Sequence, residues 1–370
     1  MAPDESAAAV GSSMKSTTRY AGIVVAAFAG PHTVVHGHGD TVEGGTRPVA
    51  DTIFQIGSVT KVFTALVLAD AVVREELFLD TPLADLLPEA GASEATARIT
   101  LGHLASHTSG LPRLPRGLLR QALGHRLDPY REFGTEDLCA ALATARVRRE
   151  PGARSRYSNF GAVLLGEALS RHTGLPCGQM IERKVTGPLH LPDTVAHLRP
   201  DQQQRKAVGH DRRHRPVPDW DMGAMPGAGA LYSTAGDLLL FLRAHVEPAA
   251  TPLRDALELV QQPRARANRR VRAGLGWQIV PVRGTPHTAL WHNGGTGGFC
   301  SHVSVLPQQN AGVVVLANTA RSVDPIGLRT LRALARSAGA PPPEALRTPL
   351  VRGSGTPRKS GSPPRRSLRD

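Results

Sequence analysis

Ile53-Phe54-Gln55-Ile56-Gly57-Ser58-Val59-Thr60-Lys61-Val62-Phe63-Thr64-Ala65-Leu66-Val67-Leu68-Ala69-Asp70 reads as a short apolar lead-in, a glycine and then an amphipathic helix. Ser58 and Lys61 are three apart, so a helix stacks them on one face, one turn above the other. Phe63, Leu66, Val67 and Val73 follow at helical spacing and supply a buried side. Gly57 lets the backbone turn tightly just before the serine. A serine hydroxyl is a weak nucleophile until a base takes its proton. An amine one turn away can be that base once burial or nearby cations lower its pKa.

Two fixed positions are a common coincidence, and a polar helix start with an exposed lysine is the plain alternative. Composition argues against it. The chain carries 44 lysines and arginines, yet lysine stands only at positions 15, 61, 184, 206 and 359. The other 39 are arginine. A position needing only positive charge would have become arginine here, and arginine cannot give up its proton.

A chain of 370 residues can bury a large core, and its length suggests two or three domains. With 41% hydrophobic and 20% charged residues it reads as globular, and no apolar run approaches the ~20 residues of a membrane helix. Cys139, Cys177 and Cys300 are odd in number and far apart, which fits a reducing compartment better than a disulfide framework. Ala21 to Gly30 lacks a leading basic segment and reads as a strand rather than an export signal, so a cytoplasmic protein is expected. The net charge is +13. Basic clusters at 264–272 and 351–370 invite a nucleic-acid reading. With aromatics at only 4% there is little material for base stacking, so arginine bias on a solvated surface is preferred.

Along the chain, residues 1–19 read as a loose tail. Gly22–Ala29 and Thr33–His38 form a hairpin around Gly30-Pro31-His32. His36-x-His38-x-Asp40 has a spacing found in zinc hydrolases, but Thr41 stands where a further histidine is usual. An exposed strand end is the preferred reading, with no metal and no cofactor expected. Thr100 caps a helix with Leu101 and Leu104 on its apolar side. His107, beside a Ser-Gly turn, is either a catalytic base or packed into that turn, with packing favoured. Residues 113–150 are helical in pattern. Tyr157-Ser158-Asn159 sits where a Pro-Gly loop meets the helix 162–170, so its side chains can face a cleft. Asn159 offers both a donor and an acceptor, and a tyrosine phenol needs a cation such as Lys61 beside it to work as a base. Residues 186–226 look like surface excursions. Thr234 with Asp237 fits a capping box before 238–242. Strands follow at 274–282, 288–291, 301–306 and 312–317, with a glycine-dense edge at His292-Asn293-Gly294-Gly295-Thr296-Gly297-Gly298-Phe299. Residues 323–338 form a last helix, and a Pro-, Gly- and Arg-rich disordered tail begins near Pro341.

Taken together and in order, Ser58-Val59-Thr60-Lys61, Tyr157-Ser158-Asn159 and His292-Asn293-Gly294 resemble the serine β-lactamase and penicillin-binding-protein superfamily. The tyrosine version is similar to the class C branch, which also holds D-aminopeptidases, D-Ala-D-Ala carboxypeptidases and esterases. The resemblance implies an α/β (α+β) fold. Its antiparallel sheet would come from both chain ends (about 20–57 and 272–338) and be flanked by helices. A mainly helical part, about 74–271, would be inserted between them. It implies a serine hydrolase domain over 20–338, followed by a basic tail at 339–370. Ser58 would attack an ester, amide or β-lactam carbonyl to give an acyl-enzyme, with Lys61 and Tyr157 sharing the base and acid work. Asn159 would position the substrate, and the amides of Ser58 and Gly295 would form the oxyanion hole at the His292–Gly295 edge. The third element is His-Asn-Gly where the family usually has Lys-Thr-Gly. A histidine is mostly neutral at pH 7, which shifts the expectation toward a less acidic ester or amide. The partner would be a small molecule, with neither membrane nor nucleic acid expected. The alternative is a slow acyl-binding sensor.

Overall fold

The computed structural model describes residues 10–11 and 17–337. The tails expected at the two ends lie largely outside them, apart from Val10, Gly11 and the residues from Thr17 on. Ten strands are present: β1 (Gly22–Ala29), β2 (His32–Gly39), β3 (Ile53–Gln55), β4 (Tyr232–Thr234), β5 (Ala265–Arg266), β6 (Arg272–Ala273), β7 (Gln278–Pro281), β8 (Thr288–Gly295), β9 (Cys300–Leu306) and β10 (Ala311–Ala317). Eight of them form one antiparallel sheet in the order β2-β1-β10-β9-β8-β7-β6-β5, and β3 pairs with β4 apart from it. The join between the early hairpin and the late strands is β1 on β10, with Ile23 opposite Ala317 and Ala29 opposite Ala311.

All eight residues of β1 are buried, because both faces of this part of the sheet are covered. Val24, Ala26 and Phe28 point into one layer, with helix α1 (Thr60–Val73) and helix α4 (Ala235–Val246). Ile23, Val25, Ala27 and Ala29 point into the other, against helix α5 (Asp324–Ser337) through Ile326, Leu331 and Leu334. The two-residue period of a strand thus sorts one apolar run between two cores. The helices α2 (Leu101–Ala105) and α3 (Asn159–Thr173) belong to the first layer. No helix among the described residues is long and apolar enough to cross a membrane.

Helix α1 is not amphipathic as expected: every residue from Thr60 to Ala71 is buried. Its polar side chains are therefore all partnered, as buried polar groups require. The Leu231 amide donates to the Thr60 hydroxyl (3.1 Å), the Thr64 hydroxyl donates to the Gly227 carbonyl (2.9 Å), and Asp70 accepts from Arg74 (2.9 Å). Thr60 and Thr64 pin the helix to residues 226–231, the segment that also receives Lys61.

Residues 113–150 are less helical than their pattern. Only Leu118–Ala122 and Thr135–Ala143 form helices, because prolines 112 and 115 and glycines 117, 124 and 134 break the run. Thr100 caps α2 as expected, with His103 completing a capping box. Thr234 caps α4 through the Asp237 amide, but the Asp237 carboxylate turns away to accept from Asp193 N and Thr194 Oγ1. The strand expected from Gly274 starts only at Gln278, since Gly274–Trp277 close a turn whose Gly276 amide donates to Ala105 at the end of α2. In compensation β8 runs on through Gly295.

Candidate active site

The three separated sequence elements meet at one place. The residues before α1 form a tight turn, Gly57–Val59, in which Gly57 has φ +49° and faces the backbone of Gly295. Strand β8 pairs with β9 as far as Gly295, but with β7 only as far as Trp291. From His292 onward its free edge lies against the Ser58 turn. Gly294 makes that approach possible. A Cβ there would collide with the Ile56 carbonyl and come within 2.9 Å of Ser58 N.

The Tyr157-Ser158-Asn159 element is clamped to the segment before residue 114. Ser158 caps α3, accepting from Gly161 N (2.9 Å) and donating to Pro112 O (2.7 Å). Asn159 N and Phe160 N both donate to Arg113 O, at 2.9 and 3.2 Å. The Tyr157 ring is thereby held among four groups. His107 lies 4.7 Å and His292 6.1 Å from it, centroid to centroid, while Lys61 Nζ and the Arg113 guanidinium each stand 5.3 Å from its centroid.

Lys61 is the chemical centre. It is 3% exposed, and its Nζ donates to Ser58 Oγ at 2.9 Å and to Ala228 O at 2.6 Å. Burial pushes its amine below the ordinary lysine range of 10.5. Tyr157 pulls it part of the way back, and Arg113 opposes that pull. A lysine so placed can hold a neutral fraction and accept a proton from the hydroxyl beside it.

Above this pair opens a cleft of about 620 Å³. Ser58, Tyr157, Asn159, Asn293, Gly294 and Gly295 line it, while Lys61 and His292 lie beneath the surface. The Asn159 side-chain oxygen is buried with no hydrogen-bond partner among the described residues. Arg113, Tyr130, Arg212, Trp220 and Asp324 also face the cleft, and sequence reasoning passed over all five. Trp220 is positioned by Gln55, whose side chain bonds both its N–H and its carbonyl, and its ring meets Tyr130 edge-on at 5.1 Å. One of only three tryptophans, in a proline-rich excursion, was the available signal. Asp324 is fixed in several ways: Asn293 Nδ2 donates to its Oδ2 (2.7 Å), Ser322 Oγ donates to the same oxygen (3.1 Å), and His302 Nδ1 is 3.1 Å from Oδ1.

His107 packs rather than facing the cleft. It has φ +58°, uncommon for a residue with a Cβ, and its Nδ1 accepts from Ser158 N at 3.4 Å. The neutral ring therefore carries its proton on Nε2. Burial, with Lys61 next, pushes both His107 and His292 down to about 3. His245, edge-on to both Phe241 and Trp277, is pushed down to about 4 by burial. His292 is thus a neutral side chain under the tyrosine, bonded to its neighbour's carbonyl oxygen at 2.7 Å. His36 and His38 lie on the edge strand β2, and no cluster of three or more potential metal ligands forms among the described residues.

Three histidines pushed down this far, His107, His245 and His292, set a pH dependence. Unfolded, each takes a proton near 6.5, whereas folded each resists it until pH 3 to 4. The unfolded state then binds more protons, so stability falls as pH drops below 6.5. From pH 7 to pH 5 the loss is about 2 kcal/mol per histidine. Urea midpoints at the two pH values measure it, and His245→Phe, remote from the cleft, should remove about a third of the slope. Equal wild-type midpoints would show the rings to be charged in the native protein.

The fold has counterparts. A family model described as Beta-lactamase matches residues 7–337. The chain is 30% identical over 313 residues to the D-alanyl-D-alanine-carboxypeptidase/endopeptidase AmpH of Escherichia coli K12, covering 80% of this chain and 78% of that protein. It superposes on the crystal structure of a beta-lactamase from Sulfitobacter sp. EE-36 with a TM-score of 0.79 and 24% identity, over 91% of this chain and 98% of that one. A class C beta lactamase from Rhodobacter sphaeroides gives 0.77 and 23%, over 91% of this chain and 100% of the other.

Proposed function

This chain belongs to the beta-lactamase family, and from that premise we propose that it is a serine hydrolase working through an acyl-enzyme. The observation that carries the reading is the buried Lys61 amine 2.9 Å from Ser58 Oγ, at the floor of a cleft walled by Tyr157. Neutral Lys61 takes the hydroxyl proton as Oγ bonds to the carbonyl carbon of an ester, amide or β-lactam. The amides of Ser58 and Gly295 stabilise the oxyanion. Tyr157 and Lys61 return the proton to the leaving group as its bond to carbon breaks. The same pair then takes a proton from water as it attacks the acyl carbon, and passes it to Ser58 Oγ as the acyl bond breaks. Asn159 offers its unpartnered carbonyl oxygen to an N–H of the substrate.

His292 brings no cation to the strand edge, so a substrate carboxylate is not held there. Among the described residues the positive charges facing the cleft are Arg113, over the Tyr157 ring, and Arg212, whose Nε donates to Ala320 O. The second reading, a slow acyl sensor, draws on the missing strand cation and differs only in deacylation. Incubation with a p-nitrophenyl ester, a fluorophosphonate and a penicillin separates the two. A burst of nitrophenol, followed by steady turnover and a mass increase on the peptide holding Ser58, supports the hydrolase. A stable adduct without turnover favours the sensor. Undiminished hydrolysis with Ser58 unlabelled would remove both.

Asp324 tests how the rim works. Burial pushes its carboxyl up, but hydrogen bonds from His302, Asn293 and Ser322 outweigh that and hold it below the ordinary range. A charged acceptor there draws the Asn293 amide nitrogen to itself and leaves the Asn293 oxygen toward the cleft. Asp324→Ala should raise KM for an amide-bearing substrate about tenfold with kcat changed little, since it loosens binding rather than the proton path. A matching fall in kcat with KM unchanged would place Asp324 in the chemistry itself.

A further inference from the structure

A second cavity, of about 530 Å³, shares a wall with the cleft. Two pieces of chain present neighbouring residues to the two spaces. Arg113 and Asn159 face the cleft, whereas Pro112, Leu114 and Pro115 and, next along α3, Phe160 face the second cavity. Its interior is apolar, formed by Leu114, Pro115, Ala141, Ala145 and Phe160. Its rim is cationic, carrying Arg116, Arg146 and Arg148, with no acidic residue lining it.

The three arginines are exposed, and among the described residues none makes an ion pair or a side-chain hydrogen bond. Some arginines elsewhere pair with carboxylates, as Arg171 does with Glu167, Arg205 with Asp193 and Arg215 with Asp211. Like charges gathered at one mouth raise the local potential and concentrate an anion there. Guanidinium forks match a carboxylate in two-point geometry. The volume lies within the usual range for small-molecule sites, ~300–1,000 Å³. We propose that this cavity binds a single-chain aliphatic carboxylate, with its head on Arg116, Arg146 and Arg148 and its tail against Leu114, Ala145 and Phe160. The bound tail would brace Pro112, whose carbonyl accepts the Ser158 hydroxyl, from the side opposite the substrate.

Calorimetric titration of the full chain with decanoate, kept below its micelle concentration, tests this independently of any hydrolysis. Saturable one-to-one binding is expected, with decylammonium and acetate each at least tenfold weaker, because one lacks the anion and the other the tail. Raising salt should weaken decanoate binding. Arg146→Gln with Arg148→Gln, both on the exposed rim, should weaken it at least tenfold while the rate of Ser58 labelling stays unchanged. Decylammonium binding as tightly as decanoate, or a double variant binding like the parent, would overturn the assignment, and the second result would place the acid in the cleft instead.

Discussion

Removing the Ser58 hydroxyl or the Lys61 amine lowers kcat for an activated ester by roughly 10⁴–10⁶-fold, and removing both costs no more than removing one, because the two act as a unit. Ser58→Ala leaves no atom to form the acyl bond. Lys61→Met keeps most of the length and the burial of the side chain, but its thioether is too weakly basic to accept the proton. It also leaves the Ala228 carbonyl without its 2.6 Å donor, at a cost of ~1–3 kcal/mol, so melting must be followed beside activity. Thr60 and Thr64 still tie α1 to residues 226–231, and the fold is expected to survive. Lys61→Arg decides between charge and proton transfer: arginine restores the positive charge but does not release a proton, so its activity should match Lys61→Met. An arginine variant with a tenth or more of parental activity would reduce Lys61 to an electrostatic partner. In the parent, kcat/KM should rise with pH as Lys61 loses its proton, with the midpoint of that rising limb below 10.5, since burial disfavours the charged amine.

The second large effect is geometric. Gly294→Ala should lower kcat/KM by about 10²–10³-fold and destabilise the protein by about 1–3 kcal/mol, through overpacking against backbone. The added carbon would strike the Ile56 carbonyl, which already accepts from Ser301 Oγ at 2.7 Å, and crowd Ser58 N at 2.9 Å. Neither neighbour is a flexible side-chain tip, so strand β8 must move away from the Ser58 turn. Gly295→Ala is the control. Its nearest atoms would be 3.8 Å away, an ordinary contact, and activity should stay within a few-fold of the parent. Parental rates in Gly294→Ala would mean that the strand edge does not set the position of Ser58.

The parts of the site that could be read from sequence share one property: each sits in a short stretch whose local chemistry is unusual. Ser58 and Lys61 are one helical turn apart, Tyr157 and Asn159 flank a helix cap, and the glycines near 294 have little reason to be together in a strand except close approach. The early hairpin, the closing helix and the late strands were legible for a similar reason, through period-two and helical patterns. What escaped depends on long-range assembly. Arg113 looks like any other arginine in an arginine-rich chain until Tyr157 arrives beside it. Asp324 opens a helix, and nothing local says that its carboxylate will receive Asn293 from 31 positions earlier. The burial of α1 on every side was hidden because polar residues at 60, 61, 64 and 70 imitate a solvent face, whereas each has a partner elsewhere. Residues 113–150 misled in the other direction, with helix-forming side chains cut up by proline and glycine.

The pairing of β1 with β10 has a further consequence for the chain as it is made. Val25 must wait for Val315, 290 positions later, before that strand gains its neighbour. At ~5–20 residues per second on the ribosome the delay is roughly 15–60 s. Throughout it, a fully apolar strand has one side covered by its hairpin partner and the other open to any passing polypeptide. Slower growth at low temperature, or a holdase chaperone in excess, should therefore raise soluble yield. A nascent chain stalled before residue 311 should be found in aggregates however intact its helix α1.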